Sequence, residues 1–227
     1  VTSRLYLDST LAAEASPAFD TGWNTTAAAV RRMMHESRRA GDGIASGSAV
    51  SSTAGQNALH RQYVSPCMAA GVAFTTGTTF SCQILGLESG ANDNIVNRVR
   101  RVTVISRDGS TVQATLIAIA NATSVVEWNT SLRNLTFLAA TASGAAYTTV
   151  AGDRLTLEVG HKDSSGVSIS GTLAFGSDPA GTGDLAANET DTTTTLRSWF
   201  ECSLTIDWER SASGILVPQA VQRAAVW

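Results

Sequence analysis

Three histidines, His35, His60 and His161, three cysteines, Cys67, Cys82 and Cys202, and a set of scattered acids are the side chains of this chain whose chemistry could make a site. Zinc is held by imidazole and thiolate groups that commonly stand a few residues apart, as in HExxH or CxxC. Neither spacing occurs here, so a zinc site would have to be assembled wholly by the fold, and satisfied surface or strand histidines are expected instead. The cysteines leave an odd one over in any pairing, and buried free thiols are expected. Asp178, Asp184, Glu189 and Asp191 share one Gly-rich connection. Oxygen ligands on a flexible loop suit Ca²⁺, but the spacing departs from an EF-hand, and Asp and Gly are also ordinary turn residues. Glu127, Glu158 and Glu201 are the acids from which a glycoside-hydrolysing pair could be drawn. Serines are abundant, yet no Gly-x-Ser-x-Gly elbow accompanies them. Asn24, Asn121, Asn129, Asn134 and Asn188 open Asn-x-Ser/Thr sequons, which chance supplies in so Thr-rich a chain and which predict no glycan. Trp23 and Trp199, if exposed, could stack on sugars; packing in a core or interface is the other role open to them. No catalytic, cofactor-binding or metal-binding residue is assigned, and no cofactor is expected.

The elements that must position these residues are strands. Leu155, Leu157 and Val159 alternate with Arg154, Thr156 and Glu158; Val167, Ile169, Leu173 and Phe175 with Ser168, Ser170, Thr172 and Ala174; and Phe200, Cys202, Leu204, Ile206 and Trp208 with Trp199, Glu201, Ser203, Thr205 and Asp207. Successive side chains of a strand point to opposite faces, so each stretch reads as a strand with one buried and one solvated face. Glu158 and Glu201 should then be surface charges. Further strands are expected at 30–36, where a helix is the competing reading, and at 59–64, 72–74, 79–87, 102–105, 111–117, 124–128 and 135–138, with a short edge strand around Leu5-Tyr6-Leu7. Asp108-Gly109 supplies the positive φ angles of a tight two-residue hairpin turn. Short strands without intervening helical stretches exclude a parallel α/β sheet. The expected fold is all-β, a jelly-roll-like antiparallel β-sandwich over residues 1–208, with 1–29 as an opening strand and ordered loop. Residues 176–195 form a polar connection, and 209–227 form an extended C-terminal arm. That arm carries Ile215, Leu216, Val217, Val226 and Trp227, and is expected to pack on a neighbouring subunit, folding back on its own sandwich being the alternative.

With 43% hydrophobic and 15% charged residues the 227-residue chain is not of the disordered class, and its length suffices for one substantial core. A net charge of −3 gives no overall attraction to nucleic acid or to an anionic membrane, so neither is expected as a partner. No signal-peptide core and no spanning apolar run is found, and a soluble chain is expected. Lys162 is the one lysine among the basic residues.

Ser16-Pro17-Ala18-Phe19-Asp20-Thr21-Gly22-Trp23 resembles the opening motif of a small family of tailed-bacteriophage structural proteins. Looser matches occur at Arg61-Gln62-Tyr63-Val64-Ser65, around Asp108-Gly109, over 152–160, at Thr182-Gly183-Asp184-Leu185 and at Trp199-Phe200-Glu201-Cys202-Ser203. The resemblance implies a non-enzymatic jelly-roll head-decoration (cement) protein. It would form a homotrimer on the outer surface of the virion, with the major capsid protein as partner. It supplies no catalytic residue. A tail-associated adsorption or carbohydrate-binding module of the same fold is the alternative, and a hydrolase a third reading.

Overall fold

Alternation and β-branched content put nearly every expected strand in place. The structure, a computed structural model, describes residues 2–27, 29–43, 45–47, 49–53, 55–122, 126–163, 168–176, 183–190 and 196–209. Among them are fourteen strands and no helix: β1 (Ser3–Ala12), β2 (Val30–His35), β3 (Ala45–Ser46), β4 (Val50–Ser52), β5 (Asn57–Val64), β6 (Ala73–Phe74), β7 (Thr79–Glu88), β8 (Asn97–Ile105), β9 (Val112–Ala122), β10 (Arg133–Thr141), β11 (Tyr147–Thr148), β12 (Arg154–Lys162), β13 (Ile169–Phe175) and β14 (Trp199–Cys202). Twelve join in one sheet with the path β3-β13-β7-β14-β1-β2-β5-β12-β8-β9, with β10 added beside β7 and β4 beside β13, while β6 and β11 form a small ribbon. The sheet curls until β10 packs against β8 and β9, enclosing one apolar core. This is an all-β fold of the β-sandwich, jelly-roll kind.

The core draws on both ends of the sheet. Phe74, Phe80 and Phe200 stack with centroids 6.3 and 5.8 Å apart, and Trp128 meets Phe137 edge-on at 5.9 Å. Offset and edge-on contacts suit the ring quadrupole.

Several expectations are corrected. The sheet is mixed: β2 pairs with β5 in parallel, Val30 opposite Arg61. The first strand is no edge strand, since β1 lies between β14 and β2. Residues 126–128 are not a strand. At the end of the last alternating stretch the ladder stops at Cys202, although burial continues to alternate: Ile206 is buried and Ser203, Thr205 and Asp207 are exposed, with Leu204 half-buried rather than buried. Beyond it Trp208 bridges Met68, and the Glu209 N–H donates to the Cys67 carbonyl at 2.8 Å. Residues 210–227 of the expected arm lie outside the described residues.

The largest correction concerns β12. Its polar positions were expected in solvent, yet Arg154, Thr156 and Glu158 are as buried as Leu155, Leu157 and Val159. The reason is a second covering. Residues 13–27 run as a strap across the outer face of β5, β12, β8 and β9, where Trp23 packs with Leu59 and Val99, and Ala15 with Val64 and Ile105. On the opposite side Leu185 packs with Leu85, Ala174 and Trp199, so the described part of the 176–195 connection contributes to a small core of its own. Alternation fixes which face a side chain takes, not whether that face meets water.

The Asp108-Gly109 hairpin joins β8 to β9, but through residues 106–111 rather than a two-residue turn. The Gly109 N–H donates to the Ser106 carbonyl at 2.9 Å, which centres the turn on Arg107 and Asp108 and leaves only Gly109 at positive φ, +79°. Hydrogen bonds from the Ser110 N–H and from the Ser106 and Ser110 hydroxyls hold the Asp108 carboxyl down to about 2. Gly109→Val is expected to lower stability by about 1–3 kcal/mol, because a β-branched residue is strained at that φ. A Cβ there would also stand 3.2 Å from that of Ala15 in the strap. An unchanged melting temperature would show that this turn is not conformationally restrictive.

Candidate functional site

The residues of greatest chemical interest gather in two buried polar networks. The first lies beneath the strap. Asp20 and Trp23 of the Ser16–Trp23 motif reach down to β12: the Trp23 Nε1–H donates to Glu158 at 2.7 Å and the Asp20 N–H at 3.3 Å. From β5, Gln62 Nε2 donates to the same carboxylate at 2.8 Å, and from β8 Arg101 stands 2.9 Å from Asp20 and 3.7 Å from Glu158. Arg31 closes the rim, donating to the Pro17 carbonyl and to Gln62 while its guanidinium lies 4.0 Å over the Phe19 ring. Gly160 makes the close approach possible, since a Cβ there would fall 2.6 Å from the Trp23 ring and 2.0 Å from the Ala58 carbonyl. The motif is thus a fastening, and Glu158 is its anchor rather than a surface acid.

The second network joins two histidines that sequence spacing kept apart. The β5–β12 register sets His161 opposite Ala58, and the irregularity between Val159 and Gly160 brings His161 Nδ1 to 2.8 Å from His60 Nε2. Ser52 of β4 lies on the other side, its Oγ 3.0 Å from His161 Nε2. Trp128 meets the His161 ring edge-on at 5.9 Å. A serine against an imidazole is the first contact of nucleophilic catalysis, yet all three side chains are buried. Burial pushes His161 down to about 4. His60 is also held well below the ordinary range, by burial first and then by His161 and Arg61. Both imidazoles are neutral at pH 7, and this network is packed as core. The surface-or-strand expectation therefore holds only in its second half: these are strand histidines, but interior ones. His35 stands apart, 3.7 Å from Asp8, lowered by burial against the opposing pull of that carboxylate.

The two described acids of the loop, Asp184 and Glu189, are not gathered into a shared site. Asp184 receives Arg4 at 3.2 Å, Arg38 at 2.9 Å and the Tyr6 hydroxyl at 3.1 Å. Glu189 pairs with the buried Arg98 and accepts the Thr136 N–H, and Asp178 and Asp191 lie outside the described residues. Glu201, half-buried, binds Arg4 at 2.9 Å. Glu127 lies on the irregular stretch before β10, where its backbone carbonyl accepts from Arg133. Among the described residues no group of three His, Cys, Asp or Glu side chains could hold a metal ion. Cys82 and Cys202 are buried free thiols, burial raising Cys202 to about 11, and Cys67 is half-buried and free. Trp23 and Trp199 are both buried, which removes them as sugar-stacking platforms; the Trp199 Nε1–H donates to the Leu185 carbonyl at 2.7 Å. Of the sequon asparagines, Asn134 is buried and donates to Ala186 and Asn188.

No protein-family model matches the chain, and no curated protein matches it. Among solved structures it is similar to a CocE/NonD family hydrolase from Staphylococcus aureus, with 8% identity over 90% of this chain and 36% of that one, at a TM-score of 0.44. The infectious bursal disease virus Gt strain structure aligns at 14% identity over 70% of this chain and 35% of that one, TM-score 0.26. T=1 particles derived from that virus give 9% identity over 74% and 44%, TM-score 0.18. The chain spans between about a third and under half of each of these proteins, and likenesses at such scores carry no argument about activity.

Proposed function

We propose that this chain is a non-enzymatic structural protein of a tailed-phage virion, a decoration protein that binds across major capsid protein subunits on the outside of the head as a homotrimer. The observation that supports this reading most is the fastened strap. The motif that resembles phage structural proteins, Ser16–Trp23, supplies Asp20 and Trp23, which hold a covering segment on the sheet through Glu158 and Arg101. Several titratable groups that could react are engaged with one another: Glu201 and Asp184 with arginines, and His60 with His161. A covering segment fastened in this way suits adhesion, where preorganisation limits the entropy lost on binding. A contact of standard size, about 1,600 Å² in total, would hold such a protein on a capsid at affinities set by its hot spots.

A cryo-electron-microscopy map of the phage particle carrying this protein tests the reading. Density for three copies seated over capsid subunit junctions is the expected result; density at the tail, or none in the particle, overturns it.

A further inference from the structure

A cavity of about 220 Å³ opens among β2, β3, β5 and β13, lined by Arg32, His60, Arg61, Leu173 and Phe175. Its described lining contains two guanidiniums and no carboxylate. Arg61 is the more constrained, 8% exposed, with its Cζ 4.4 Å over the Phe175 ring. Its hydrogen bonds within the described residues all run from Nη1, to the carbonyls of Asp8 and Ser9 and to the Tyr63 hydroxyl, at 3.3–3.5 Å. Nε and Nη2 donate to none of the described residues, and Nη2 faces the backbone of Gly47, where a Cβ would stand 3.7 Å away. Arg32 binds the Ser9 carbonyl through Nε and the Arg31 carbonyl through Nη1, each at 3.1 Å. Neither arginine forms an ion pair among the described residues. Two acids near these contacts hold other groups, Asp8 binding Arg39 and Asp42 accepting from Ser9.

A buried cation without a counter-ion is costly, and this one has donors left over beside an open volume. Guanidinium forks match the geometry of carboxylate and phosphate oxygens and hold them by paired, charge-assisted bonds. The volume lies below the roughly 300–1,000 Å³ of sites for drug-sized ligands. We propose that this cavity binds a small oxyanion, phosphate or a carboxylate of similar size, between the Nε and Nη2 donors of Arg61 and Nη2 of Arg32. The ring stacking and the Nη1 contacts set the Arg61 guanidinium in place before the anion arrives, so little ordering is required on binding.

Calorimetric titration of the full chain with sodium phosphate and, separately, sodium acetate at constant ionic strength tests this. Heat of binding is the readout because phosphate raises melting temperatures by general exclusion. Saturable one-site binding in the millimolar range or tighter is expected for at least one of the two anions, weakened by about tenfold or more in Arg32→Gln and in Arg61→Gln. Response to one anion alone identifies which class the site takes. Arg32 is half-buried and decides the matter if Arg61→Gln does not fold. The proposal is overturned if neither anion gives a saturable heat, or if folded Arg32→Gln titrates as the parent does.

Discussion

Glu158→Ala is expected to lower the stability of the fold by about 3–5 kcal/mol, the range seen when one partner of a buried charged pair is removed. The carboxylate is fully buried and serves three elements at once: Trp23 and Asp20 in the strap, Gln62 on β5 and Arg101 on β8. Its loss strands an indole N–H, a side-chain amide and part of the charge of a nearly buried guanidinium, each of which carries a desolvation penalty. Glu158→Gln, which keeps the shape and one acceptor, should cost less. Urea denaturation with an unchanged m-value reads both effects. A Glu158→Ala midpoint equal to that of the parent would mean that the strap is held by apolar packing alone.

Acid should destabilise the protein as its buried histidines take up protons. His161 has its proton affinity lowered from 6.5 to about 4, and His60 is lowered in the same direction, both chiefly by burial. A group lowered on folding binds more protons in the unfolded chain, so the stability it contributes is complete above pH 6.5 and is lost as pH falls towards about 4. For His161 alone the loss corresponds to roughly 3 kcal/mol. His35, lowered by burial, adds to the same slope, whereas the Asp8 and Asp108 contributions are lost only below 3.8. Melting temperatures between about pH 7.5 and about pH 4.5 should therefore fall steeply in the parent and less so in His161→Gln. Parallel pH profiles for the two proteins would exclude the histidine pair as the origin.

Strand positions were legible because alternation and β-branched runs are local properties. Leu155, Leu157 and Val159 face the core as their spacing requires, and Ser203, Thr205 and Asp207 face out. What alternation cannot carry is the environment of the second face. Glu158 was misplaced, and alternation alone put the buried Trp199 on a solvated face, because each outer face is covered by a segment distant in sequence, and distance in sequence leaves no periodic trace. The His60–His161 contact was hidden for a related reason, as it depends on an irregularity of register between β5 and β12. One signal was present: the aromatic and apolar residues of Ser16–Trp23 are too many for an exposed loop, and the cluster of Trp23 with Leu59 and Val99 is where they go. That Arg32 and Arg61 line one cavity could not have been found from sequence, since it depends on β2 lying parallel to β5.

The seating of β1 in mid-sheet bears on how the chain reaches this state. Ser3–Tyr6 pairs with Trp199–Cys202, so residues made nearly two hundred positions apart must meet before the sheet is continuous. Non-local pairing of this kind slows folding, because loop-closure entropy is lost before contacts compensate it. On the ribosome, residues 3–6 emerge long before their partner and wait with one edge unpaired, a state open to wrong pairing between nascent chains. Completion of the sheet is therefore a late event in folding, which waits on the synthesis of Trp199–Cys202.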